Sequence, residues 1–122
     1  MSDPNFVLLH VASPSASAAF YADLLGKPAV EASPTFAMFA LDSGVMLGLW
    51  AAHTVQPAAT PPGGSELAFA VDGAERVQAL HAAWRAKGLP IAQPPTAMDF
   101  GETFVALDPD GHRLRVFAPR AE

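Results

Sequence analysis

The 122-residue chain contains no cysteine. Disulfides, thiolate metal sites and cysteine nucleophiles are therefore excluded. Positive charge is scarce: seven Lys and Arg stand against twelve Asp and Glu, for a formal net charge of −5. With no basic stripe to neutralise phosphates, no nucleic-acid partner is expected. No apolar run approaches the roughly 18 residues needed to cross a bilayer, so no membrane partner is expected. The opening "MSDPNF" shows neither the basic start nor the apolar stretch of a secretory signal, which points to the cytoplasm. Two further absences concern chemistry. No serine sits in a strand–turn–helix elbow, and "PPGGS" lacks the Lys-Ser/Thr that completes a phosphate-binding loop. What the chain has in quantity is apolar side chains, 51% of the total. That is enough for one compact domain with a real core.

The informative pattern is a repetition. "FALDSGVMLGLW" (39–50) and "VALDPDGHRLRVF" (105–117) are each an apolar run, an Asp/Gly turn and an alternating strand. The order of elements around them repeats as well. "NFVLLHVA" reads as a strand, and "SPSASAAFYADLLG" as a helix with Ser13 as N-cap, Pro14 at its first position and Gly26 as its stop. Ala16, Ala19, Phe20 and Leu24 are expected on the buried face of that helix. Strands are expected around Ala29–Ala32, Thr35–Leu41 and Val45–Trp50. After a Pro/Gly/Ala-rich linker, "ELAFAV" is a strand and "GAERVQALHAAWRAKG" a helix burying Val77, Leu80, His81 and Trp84. "LPIAQ", "ETFVAL" and "HRLRVF" complete the second set. The fold class is α+β, with two βαβββ units of curved mixed sheets around a cavity. The domain plan is unit one over 4–51, a linker over 52–65 and unit two over 66–119.

Side chains alternate across a strand. Val7, Leu9 and Val11, Leu47 and Leu49, Leu67 and Phe69, and Leu114 and Val116 are assigned to the helix side. The opposite side then collects Phe6, Leu8, His10, Met46, Gly48, Trp50, Glu66, Ala68, Arg113, Arg115 and Phe117. A solvent face does not usually gather Phe6, Trp50 and Phe117, and a core does not take Glu66 and Arg115 unless they pair. A mostly apolar surface with a few polar fixtures is the character of a small-molecule site.

Together the paired βαβββ plan, "SASAAFYADLLG" and "DPDGHRLRVF" resemble the vicinal oxygen chelate superfamily, which includes glyoxalase I, extradiol dioxygenases and the bleomycin-resistance proteins. Metal-dependent members carry one ligand on the first and one on the last strand of each unit. The resemblance places those positions at Phe6, Gly48, Glu66 and Arg115. Only Glu66 has a side chain suited to a divalent ion, so no metal and no other cofactor is expected. Arg115 and Glu66 are expected to pair where a metal would otherwise sit. "GLW" at Trp50, "SEL" at Glu66, "DFGETF" and "DPDGHRLRV" are similar to metal-free phenazine-antibiotic resistance proteins. That likeness implies a homodimer that sequesters a planar aromatic compound, with Trp50 as a stacking platform and Arg115 or His10 orienting a ligand carboxylate.

The candidate ligand-binding residues are thus Trp50, Phe6, His10, Gly48, Glu66, Arg115, Phe117 and Phe100, with no catalytic residue and no metal ligand. Several of these have plainer readings. Trp50 serves equally as core filling, His10 as an interior or interface histidine, and Glu66–Arg115 as a structural ion pair. Phe100 and Gly101 read as an ordinary connection or as a lip over the pocket. Trp84 is read as core, His53 and His112 as solvated, and Asp108 and Asp110 as turn formers. The leading alternative function is a metal-dependent lyase or dioxygenase using His10 with Glu66. A dimeric scaffold with a vestigial pocket is the second.

Overall fold

A computed structural model describes residues 3–120, which divide into two compact units between Pro61 and Pro62. In the first unit the elements run β1 (Phe6–Val11), α1 (Pro14–Leu25), β2 (Glu31–Ala32), β3 (Phe36–Ala40) and β4 (Met46–Ala51). In the second they run β5 (Glu66–Ala70), α2 (Ala74–Ala86), β6 (Ile91–Met98), β7 (Gly101–Leu107) and β8 (Arg113–Pro119). Each unit is a four-stranded mixed sheet, ordered β1-β4-β3-β2 and β5-β8-β7-β6. The pairs β1–β4 and β5–β8, at one edge of each sheet, are parallel and the others antiparallel. Each helix carries the chain from one sheet edge to the other and packs across the strands between. The registers repeat too: Phe6 lies opposite Met46 as Glu66 lies opposite Arg113. Gly48 and Arg115 are therefore the same position of two copies of one motif.

The helix ends follow from local chemistry. The Ser13 side chain accepts the Ala16 N–H at 3.2 Å, Pro14 occupies the first turn, and the Gly26 N–H closes on the Ala22 carbonyl. Beyond α2 the chain turns at Gly88, whose φ of +90° a side chain would resist. There the Gly88 N–H reaches the Arg85 carbonyl and the Leu89 N–H the Trp84 carbonyl, the paired bonds of a Schellman motif.

The core of each unit lies between helix and sheet. In the first it is Val11, Tyr21, Ala37, Phe39, Leu47, Leu49 and Ala51. In the second, Trp84 meets Phe69 and Phe104 edge-on, at centroid distances of 5.6 and 5.3 Å, above Leu114 and Val116. Trp84 and Val77 are buried as expected, and His81 packs edge-on to Phe104. The expected face of α1 is wrong. Pro14, Ser17 and Tyr21 are buried, whereas Ala16 and Ala19 are exposed and Phe20 and Leu24 only half-buried. In an alanine-rich helix small side chains carry little directional signal, and the Tyr21 ring decides which side faces the sheet.

Two other expectations need correction. "LPIAQ" does not end the sixth strand: β6 continues through Pro94 and Pro95 to Met98, with register shifts around Gln93. It is an edge strand, where a missing N–H and a bulge are tolerated. The stretch after Ala51 is not featureless either. It opens with a single 3-10 turn, Ala52–Thr54, and buries Val55. Among the described residues, no helix is long and apolar enough to cross a membrane.

Candidate functional site

The candidate residues fall into two groups, one in each unit. In the first unit, Phe6, Leu8, His10, Gly48 and Trp50 lie on the sheet face opposite Leu47 and Leu49. Phe6 and Leu8 are 49% and 47% exposed, the apolar side chains one expects of a surface awaiting a partner or ligand. The His10 imidazole meets the Trp50 indole edge-on, with centroids 5.9 Å apart, and both are half-buried. Gly48 is covered. A Cβ built on it would lie 2.7 Å from Leu8 Cδ2 and 2.8 Å from Phe36 Cζ. The position to which the resemblance assigns a metal ligand is here covered by a leucine and a phenylalanine side chain.

The second unit meets the same position with a polar assembly. Arg115 Nε and Nη2 donate to the two carboxylate oxygens of Glu66 at 2.8 and 3.1 Å, a bidentate fork. Its Nη1 donates to Gln93 Oε1 and Thr103 Oγ1, each at 3.2 Å. The Thr103 hydroxyl donates in turn to the Val116 carbonyl at 2.8 Å. Arg113 adds a second cation, its Nε 3.0 Å from Glu66 Oε2. One acidic and two basic side chains leave this cluster with a net charge of +1. The Arg115 guanidinium, with its hydrogen bonds to Glu66, holds that carboxyl below the usual carboxylate range, against the opposing effect of burial.

Beside this network lies an open concavity of about 480 Å3, lined by Glu66, Met98, Phe100, Arg115 and Phe117. Phe100 and Phe117 meet edge-on at 5.9 Å. Phe100 is 43% exposed at the turn before β7. A smaller polar hollow, which also includes Glu66, is lined by Gly64, Ser65, Ala68 and Arg113. Four of the expected residues, Glu66, Arg115, Phe100 and Phe117, are thus brought together in this unit, and four, Phe6, His10, Gly48 and Trp50, share a sheet face in the other. The sequence reading missed Gln93, Thr103, Arg113's contact with Glu66, Met98 and Phe36. Thr103 and Arg113 were open to the alternation rule, which puts Thr103 beside Phe117 and Arg113 beside Glu66 on one face.

A divalent ion does not fit these residues. Of Phe6, Gly48, Glu66 and Arg115, only Glu66 has an oxygen to offer, and both of its oxygens are held by arginines. Among the described residues, no three His, Asp or Glu side chains converge to hold a metal. Asp108 serves the turn instead, its Oδ1 accepting the N–H groups of Asp110 and His112 at 2.9 Å each.

Comparison with known proteins agrees with this geometry. The phenazine antibiotic resistance protein EhpR of Enterobacter agglomerans is 28% identical over 116 residues, covering 93% of this chain and 89% of its own. A protein of Agrobacterium tumefaciens with a solution NMR structure is 49% identical, with a TM-score of 0.92 over 99% of this chain and 100% of that one. A glyoxalase-related enzyme from Fulvimarina pelagi is 25% identical, with a TM-score of 0.84 over 97% of this chain and 88% of its own. The family model described as Glyoxalase/Bleomycin resistance protein/Dioxygenase superfamily matches residues 4–116, nearly the whole of both repeats. The chain, with its duplicated βαβββ unit, belongs to that superfamily.

Proposed function

We propose that this protein binds a planar aromatic compound of the phenazine type and holds it without transforming it, independently of any metal. The observation that carries the reading is the state of Glu66. It is the one ligating side chain at the four inherited positions, and it is forked by Arg115 beside a hollow of Met98, Phe100 and Phe117. Charge that a metal would supply is supplied by a guanidinium. The likeness to a protein named for phenazine resistance supports the choice of ligand class. The apolar side chains around Trp50 support stacking as the means of capture. Burial of a tricyclic ring among aromatics suffices for micromolar affinity, about 8 kcal/mol. The working form is taken as a cytoplasmic homodimer, which sedimentation equilibrium tests.

The test is a fluorescence titration with phenazine, with and without a chelator, on the wild type and on Trp50→Ala and Trp84→Phe. Quenching that survives chelation and Trp84→Phe, but is lost in Trp50→Ala, supports the reading. Stoichiometric binding of a divalent ion by calorimetry, or turnover of the ligand, overturns it.

A further inference from the structure

We propose that Arg115 contacts the aromatic ligand with the flat face of its guanidinium and not with its hydrogen-bonding edge. A guanidinium has five N–H donors, all in its plane. Four of them are spent on Glu66, Gln93 and Thr103. Those partners lie on both flanks of β8: Glu66 on β5, Thr103 on β7 and Gln93 on β6. They are also spread along the strand direction. Glu66 is level with Arg113, Gln93 pairs with Val105 at the level of Arg115, and Thr103 is level with Phe117. Three partners that are not in line, all on one face of the sheet, set the guanidinium plane along the sheet. Its outer face then turns toward the hollow.

The surroundings suit that role. The Arg115 side chain is 16% exposed and lines the hollow with Phe100, Phe117 and Met98. Its guanidinium carbon already lies 6.0 Å from the Phe100 ring centroid. A cation fixed in plane and partly desolvated favours the negative face of an electron-rich ring, and arginine stacks this way more readily than lysine. A ligand carboxylate finds only one unspent N–H on Arg115, so Arg115 does not clamp it.

The proposal rests on the aromatic-binding reading above, and one experiment separates their failures. The full chain, labelled with 15N, is titrated with phenazine and with phenazine-1-carboxylate. The Arg115 Nε–Hε signal, assigned from Arg115→Lys, is followed by NMR while Trp50 fluorescence is followed in parallel. Stacking places that proton over the ring, so both probes move it upfield. Arg115→Lys, which keeps the charge and loses the plane, weakens both probes about tenfold. A downfield shift given by the carboxylate alone means an edge contact and overturns the proposal. An unmoved Arg115 signal with Trp50 quenched overturns it and leaves the binding reading intact. No response of either reporter overturns both.

Discussion

Gly48 and Arg115 occupy one position in two copies of the same motif, and each is completed by a neighbour of opposite size. In the first unit the Phe36 ring closes over Gly48. In the second, the residue in register at the place of Phe36 is Thr103, small enough to leave room for Arg115 and receive a hydrogen bond from it. Large covers small in one repeat, and small supports large in the other.

This complementarity is measurable. Gly48→Val brings its Cβ to within 2.7 Å of Leu8 Cδ2 and 2.8 Å of Phe36 Cζ. Overpacking of that kind costs about 1–3 kcal/mol. Phe36→Ala empties the same space, so the double variant Gly48→Val/Phe36→Ala loses less than the sum of the singles. Urea unfolding of the four proteins reads the coupling; strict additivity contradicts the contact.

Glu66 governs the acid limb of stability. Its folded pKa lies below the ordinary value of 4.5 because of the Arg115 hydrogen bonds. The ionised form therefore favours the folded state above about pH 4.5, and that contribution is lost as the pH falls through the folded value. Glu66→Gln does not titrate, so its melting temperature falls less between pH 5 and pH 3 than the wild type's. Equal slopes in thermal melts speak against the pairing.

The turn between β7 and β8 depends on a buried acid. Asp108 is 4% exposed and accepts two backbone N–H groups. Asp108→Ala strips both of their partner and is expected to cost about 1–3 kcal/mol. Asp108→Asn retains an acceptor and loses less. Denaturant midpoints of the two variants provide the comparison.

Gly101 allows no side chain. Its φ is +140°, and an added Cβ would fall 1.9 Å from the Ala118 carbonyl oxygen. Backbone cannot yield as a side-chain tip does, so Gly101→Ala is expected to lose more than about 3 kcal/mol. A folded Gly101→Ala with an unchanged melting curve rules out this close approach.

Much of this was legible in the chain, where the signal was local. Ser13, Pro14 and Gly26 bounded α1 as their chemistry requires, and the Asp108 turn needed only its own few residues. Alternation put Glu66 and Arg115 on one face, and the resemblance to the superfamily implied that they pair. The buried face of α1 did not follow, because alanines at every turn leave helical periodicity without contrast. The run of β6 through Pro94 and Pro95 did not follow either. Proline reads as a breaker until one knows that the strand lies at an edge, where its missing N–H goes unneeded.

By itself the sequence determined the duplicated element order, the caps and turns, and the side of the strands β1, β4, β5 and β8 on which the aromatic and charged residues fall. These depend on residues within a few positions of one another. Only the tertiary structure decided that Gln93 and Thr103 meet Arg115 and that Phe36 closes over Gly48. Those contacts join strands distant in the chain, and the register and bulges that align them are set by packing whole sheets, which no local pattern encodes.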